Sequence, residues 1–267
     1  MTSASPPVRT RREPPPFRRV SVAAVTPLTP RLVRLTLAGP ELEGFTVDQP
    51  AASVRLLLPP PGHGDVVLPA WQGNLFLYDD GSRPTIRTLT PLRVDPSAGQ
   101  LDVEIVIHDG GPASAWALAA RPGDPAAISG PARGYPVDPG ASVFLLAGDE
   151  SAIPAIGQLL EALPADRPVR IWIEVAEPSA RLQLPEHPDA RVEWLDLPPG
   201  AAPGEALVPA FTAAELAAGA RVWAAGEAAA MQRIRRYLFE ERQMTRSETW
   251  IRGYWKHGRA GDADDEG

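Results

Sequence analysis

The chain has 267 residues, 44% of them hydrophobic and 22% charged, which is enough for two modest domains with real cores. It carries no cysteine, which excludes disulfides, thiolate nucleophiles and cysteine-held metals. Its net charge of −7 argues against nucleic acid as the main partner, and no apolar run is long enough to span a membrane.

Met1 to Pro16 holds arginines and prolines without an apolar core, so it reads as a disordered leader and not as a secretory signal. The cytoplasm follows by default. Phe17 to Val25 and Arg31 to Leu37 read as strands around a Thr26-Pro27-Leu28-Thr29-Pro30 turn. In the second strand Val33, Leu35 and Leu37 alternate with Arg34 and Thr36, so one face is buried. Ser53 to Leu58 is a further strand, stopped by Pro59-Pro60-Pro61. Residues 84–92 and 101–107 bracket a turn at Asp95-Pro96-Ser97-Ala98-Gly99. Leu101, Val103, Ile105 and Ile107 alternate with Asp102 and Glu104, the pattern of a half-buried strand. Short strands with frequent turn signals, in a chain with 32 prolines, predict a small antiparallel barrel over residues 17–138.

Beyond Val137-Asp138-Pro139-Gly140 the period changes. Val143 to Ala147 is a continuous apolar run, followed by Gly148-Asp149-Glu150 and a helix from about Ile153 to Leu163. Val169 to Val175, Val192 to Leu195 and Val222 to Ala225 read as further buried strands. Gly226-Glu227 opens a helix to about Gln243. Apolar strands alternating with helices predict a parallel α/β sheet over residues 139–258. A strand, then Ala-Gly-acid, then a helix occurs twice, at Gly148 and at Gly226. Residues 259–267 form an acidic tail expected to be disordered. The fold class is thus β followed by α/β.

Arg87 and Leu89 share one face of their strand, and Thr88 and Thr90 the other. A guanidinium on a barrel face can fork onto a diphosphate. After His108, Gly110-Gly111-Pro112-Ala113 leads into a helix over Ala115 to Ala120 with Ser114 at its N-cap, where free amide groups attract an anion. An ordinary strand and an ordinary cap would look the same. In the second half, ligands of a parallel sheet bind beyond the carboxyl ends of its strands. Asp149 and Glu150 would repel a phosphate unless they bind ribose hydroxyls or face away. Glu177 and Arg181 lie where a dinucleotide's ribose or 2′-phosphate is read, one suited to NADH and the other to NADPH. Trp250 to Gly258 is dense in aromatic rings and positive charge: either a packed last strand or an anion-attracting lip. The four histidines, His63, His108, His187 and His257, lack metal-ligand spacing. Neither a nucleophile elbow nor a Walker loop is present.

Four blocks in order resemble the siderophore-interacting protein family, ferric-siderophore reductases of the ferredoxin-reductase-like superfamily. Arg87-Thr88-Leu89-Thr90-Pro91-Leu92-Arg93 is similar to its R-x-Y-T flavin motif, with Leu89 in the aromatic position. His108 to Trp116, with Pro122-Gly123-Asp124 and Gly130-Pro131, is similar to its glycine-rich phosphate block. Ala147 to Ala155 resembles its A-G-D-E signature. Ala225-Gly226-Glu227, Arg235-Arg236-Tyr237-Leu238 and Gly253 to Gly258 resemble its C-terminal blocks. The resemblance spans about Phe17 to Gly258.

It implies FAD on the barrel and NADH or NADPH on the α/β domain. Arg87 and Ser114 would hold the FAD diphosphate, helped by His108, Gly111, Pro112 and Ala113, with Thr88, Leu89 and Thr90 near the flavin. Gly148, Asp149, Glu150, Ser151, Gly226 and Glu227 would line the nicotinamide side. Lys256, with Arg252 and His257, would attract an anionic ferric siderophore. No residue acts as acid or base and no resident metal is needed, because the flavin carries the chemistry. Ferredoxin could replace the nicotinamide as donor. Two other readings stay open: a family member turned to biosynthetic flavin chemistry, which Leu89 motivates, and a siderophore-binding protein that has lost FAD.

Overall fold

The computed structural model describes residues 13–108 and 111–258. The expected leader and tail lie outside the described residues, except Glu13–Pro16, where the Pro15 carbonyl accepts a hydrogen bond from Ser129 Oγ.

The first half builds nine strands: β1 (Phe17–Thr29), β2 (Leu32–Ala38), β3 (Val54–Leu57), β4 (Ala70–Gln72), β5 (Leu75–Leu77), β6 (Ile86–Leu89), β7 (Pro91–Asp95), β8 (Gln100–Val106) and β9 (Pro125–Ser129). Helix α1 (Pro112–Ala119) follows β8. Seven strands form one antiparallel sheet in the order β6-β3-β9-β1-β2-β8-β7, and β4 and β5 form a separate hairpin. Strands β6 and β7 occupy the two edges of that sheet, yet only Thr90 separates them in sequence. A sheet whose edges are one residue apart must curl until they meet, which makes the expected barrel.

The single strand expected over 84–92 is therefore two strands. Pro91 accounts for the break, since it offers no N–H to a ladder and restricts the residue before it. The expected turn at Thr26–Pro30 is also shorter, because β1 runs on to Thr29. The barrel core is apolar, centred on Leu35, Leu37, Leu56, Leu101, Val103 and Ile128. Strand β8 is buried on both faces rather than one: Asp102 and Glu104 lie under the guanidinium groups of Arg93 and Arg34. Burial raises the Glu104 carboxyl, and the Arg34 hydrogen bond opposes that rise.

The second half builds β10 (Phe144–Asp149), α2 (Ile153–Ala162), β11 (Val169–Val175), β12 (Ala190–Asp196), α3 (Leu207–Ala213), β13 (Arg221–Glu227), α4 (Ala228–Arg236) and β14 (Thr249–Trp255). Its five strands are all parallel, in the order β12-β11-β10-β13-β14. Every residue of the central strand β10 is buried. Helix α2 covers one face, around Leu146, Ile156 and Trp223, and α3 and α4 cover the other, around Phe211, Met231 and Ile234. Strand β12 was expected to be buried but is an edge strand, with Val192 39% exposed. The long helix expected from Glu227 to Gln243 ends at Arg236 and passes into a wider π-type turn, Tyr237–Glu241.

Side chains sew the two halves together. Gln158 on α2 donates to the Pro91 carbonyl at 2.7 Å and accepts from the Ala51 amide at 3.0 Å. Tyr135 meets Trp250 edge to face at 6.0 Å. Among the described residues, no helix is long and apolar enough to cross a membrane.

Candidate functional site

The site is built where the barrel seam meets the carboxyl ends of the parallel strands. Thr90, the residue that joins β6 to β7, is buried and its side chain lies against the Tyr254 hydroxyl on β14. Burial pushes the Tyr254 phenol up, so it stays a neutral hydrogen-bonding group at any ordinary pH. Arg87, Thr88 and Leu89 lie on β6 just before Thr90. Arg87 is half-buried, and its Nη1 donates to the Ile86 carbonyl at 2.7 Å. Thr88 is exposed, and Leu89 is half-buried against the barrel core.

Across the barrel closure β6 touches β8, whose end leads into α1. The helix starts at Pro112 with Gly111 at its N-cap, so Ser114 is not the cap but the third helical residue. Proline at the first position explains the earlier start: its fixed φ suits the helix and its missing N–H is one that would go unpaired. The buried Ser114 hydroxyl has another task. It donates to the Val106 carbonyl at 3.3 Å and accepts from the His108 amide at 3.1 Å, fixing the helix end to β8. A Cβ at Gly111 would come within 2.5 Å of the His108 ring, so that ring lies directly on the glycine backbone. Asp109 and Gly110 lie outside the described residues. A guanidinium, an amide-bearing helix end and a bare glycine backbone form a donor set that suits a diphosphate.

The two acidic turns do something the sequence did not disclose. Asp149 is buried, and its carboxylate accepts from the Ser151 amide at 2.9 Å, the Ser151 hydroxyl, the Glu227 amide at 2.7 Å and Trp255 Nε1 at 2.7 Å. Burial raises this carboxyl, and the same hydrogen bonds oppose the rise. Glu227 caps α4 through the Ala230 amide at 2.9 Å and accepts from the His257 amide at 3.2 Å. Glu150 accepts from Arg31 Nε at 2.9 Å and from the Ala176 amide at 2.7 Å. All three acids thus face the protein's own donors, which is the second of the two arrangements open to Asp149 and Glu150. Gly148 and Gly226 leave room for this knot. A Cβ on Gly226, at φ +152°, would meet Asp149 Oδ2 at 2.6 Å, and one on Gly148 would strike the Ala225 carbonyl.

Arg181 pairs with Asp196 at 2.7 Å, while Glu177 is exposed nearby. Arg252 lays its guanidinium over Trp250 at 4.8 Å, on the face of β14 that meets the barrel. Lys256 and His257 follow the end of β14, held on either side by Asp149 and Glu227. No cluster of metal-binding side chains occurs among the described residues.

A curled antiparallel sheet followed by a parallel α/β sheet is the ferredoxin-reductase-like architecture. Phthalate dioxygenase reductase shares it with a TM-score of 0.59 at 15% identity, covering 92% of this chain and 70% of its own. The chain belongs to the siderophore-interacting protein family: residues 21–135 match the siderophore-interacting FAD-binding domain and residues 141–258 the siderophore-interacting protein family. A siderophore utilization protein from T. fusca superposes with a TM-score of 0.83 at 36% identity, over 96% of this chain and 98% of its own. An uncharacterized Mycobacterium tuberculosis protein is 36% identical over 91% of this chain and 92% of its length. The ferric vibriobactin reductase ViuB of Vibrio cholerae is 29% identical over 87% of this chain and 86% of its length.

Proposed function

We propose that the protein is an FAD-dependent reductase of ferric siderophores, with NADH or NADPH as electron donor. The observation that carries this reading is that Thr90, next to the Arg87 strand, lies against Tyr254 on β14, the strand that Lys256 directly follows. One end of the junction suits a flavin nucleotide and the other an anionic chelate.

On the barrel, Arg87 and the α1 amide groups at Ala113 and Ser114 take the FAD diphosphate. Gly111 lets it approach, Pro112 opens the helix, and His108 flanks it. Thr88, Leu89 and Thr90 lie beside the flavin ring and ribityl chain. Leu89 gives apolar contact there but no stacking. Gly148, Ser151 and Gly226 give the nicotinamide side its backbone shape, while Asp149, Glu150 and Glu227 hold that shape from beneath. Lys256, with Arg252 and His257, draws in the chelate by charge.

Bound FAD supplies the electron relay between a two-electron donor and one-electron acceptors. Overall, one NAD(P)H becomes NAD(P)⁺ and a proton while two iron(III) chelates become iron(II). Hard oxygen donors hold iron(II) far less well, so reduction releases the metal. No side chain has to move a proton in the iron step.

The test is anaerobic. The flavin spectrum is recorded, NADH or NADPH is added, and then a ferric siderophore. Bleaching by one nucleotide and recovery on adding the chelate is the expected result. Bleaching by neither, but by a reduced ferredoxin, would move the donor role to an iron–sulfur protein. Retained FAD that reduces no chelate would favour biosynthetic flavin chemistry, the reading that Leu89 supports.

A further inference from the structure

Of the seven tryptophans, Trp255 is the one that is exposed, with 39% of its surface open to solvent. An exposed indole is ordinarily free to turn. This one is not, because its Nε1–H is bonded to the buried Asp149 carboxylate at 2.7 Å. Asp149 is fixed in turn by Ser151 and by the Glu227 amide. The indole therefore presents one set face to solvent, with the His257 ring 6.4 Å away at an angle of 69°.

The residue next to it is equally particular. Of 26 basic residues Lys256 alone is a lysine, and its ammonium makes no ion pair among the described residues. In sequence a compact, hydrated cation thus falls between a pinned indole and an imidazole. That combination suits a ligand which is both aromatic and strongly anionic.

Iron(III) chelates divide on these properties. Three catecholates around iron(III) give a trianion whose outer surface is aromatic rings. Three hydroxamates give a neutral complex without rings. We propose that Trp255, oriented by Asp149, is a specificity-determining residue of the lip, and that it selects catecholate-type ferric chelates over hydroxamate-type ones. This rests on the reading of the site as a ferric-siderophore reductase. Asp149 is a positioning residue in this scheme, since it touches the chelate only through the indole.

The experiment is calorimetric titration of the FAD-loaded protein with redox-inert gallium(III) chelates: gallium with excess catechol, and gallium with excess acetohydroxamate. Wild type should bind the tris-catecholate at least tenfold more tightly. Trp255→Leu should weaken tris-catecholate binding roughly fivefold and leave the hydroxamate unchanged, while Trp255→Phe keeps most of the preference. Asp149→Asn should narrow the preference in the same way, and added to Trp255→Leu it should narrow it no further. Equal binding of the two chelates by wild type overturns the proposal. So does a Trp255→Leu variant that loses FAD or alters its visible spectrum while binding the tris-catecholate as before, since the indole would then serve the flavin. The titration needs no electron transfer, so a protein that binds the gallium chelates but reduces no ferric one would fail the reductase reading and not this one.

Discussion

Arg31, on the turn between β1 and β2, bonds Glu150, at the end of β10, with 2.9 Å between Nε and the carboxylate. The same carboxylate accepts from the Ala176 amide beyond β11 at 2.7 Å. One acid thus ties the barrel to two adjacent strand ends of the parallel sheet. Its side chain is only 10% exposed, against 28% for Arg31. Arg31→Ala leaves a nearly buried carboxylate with one donor, which should destabilise the protein by about 2 kcal/mol. The readout is a lower urea midpoint at unchanged m-value. Adding Glu150→Gln should cost less than the sum of the two single changes, because the pair is then lost together.

Leu89, on β6, is the residue that the proposed reading sets against the flavin ring. Leu89→Tyr should tighten FAD binding roughly fivefold, the equivalent of about 1 kcal/mol of ring stacking, and shift the flavin potential. Flavin fluorescence titration and spectroelectrochemistry check the two effects. No change in either would place Leu89 away from the ring.

Tyr254 and Thr90 meet at the seam between barrel and α/β sheet, where burial raises the Tyr254 phenol and Thr90 is buried. Tyr254→Phe removes the hydroxyl that the buried Thr90 side chain faces, at a cost of about 1 kcal/mol. For a chain of this size that is a melting temperature lowered by roughly 2–4 °C. Thr90→Val combined with Tyr254→Phe should melt no lower than the worse single variant.

Much of the fold was legible because its strands obey one of two simple rules. Phe144 to Ala147 is an unbroken apolar run, which only a strand buried on both faces needs, and Val169 to Val175 is apolar but for Arg170 and Glu174. The hairpin β4–β5, strand β9 and helix α3 were missed. Pro125-Ala126-Ala127-Ile128-Ser129 shows neither alternation nor β-branched enrichment, and its place in the barrel comes from pairing with distant Phe17–Ser21. Helix α3 is short, and its start is held by the Glu174 carboxylate on Gly204, Ala206 and Leu207, a contact across 30 residues or more. Asp149 marks the limit at the site. Its Ala-Gly-acid turn reads as a nucleotide crossover, and nothing local shows that its acceptors are filled by Glu227 and Trp255. The recurrence of the pattern at Gly226 was the signal, since the two acids hold neighbouring residues of the same C-terminal segment, Trp255 and His257.

Asp138, on the link between the sheets, pairs with Arg221 at the start of β13 at 2.6 Å and accepts from the Gly140 amide at 2.9 Å. The Gly140 amide first, then the guanidinium, lower its carboxyl below the ordinary 3.8. A carboxyl lowered in the folded state gives stability that is present above its unfolded value and is lost as pH falls through the folded one. Asp138→Asn should therefore melt below wild type by a constant margin from neutral pH down toward 3.8, and the margin should close below that value. Asp138 is partly open to solvent, with 39% of its side chain exposed, so added salt should shrink the margin at neutral pH as well. Melting curves of the two proteins, taken side by side from pH 7 into the acid range, measure it. A margin that stayed full in strong acid would show that the carboxylate charge plays no part in holding the link to β13.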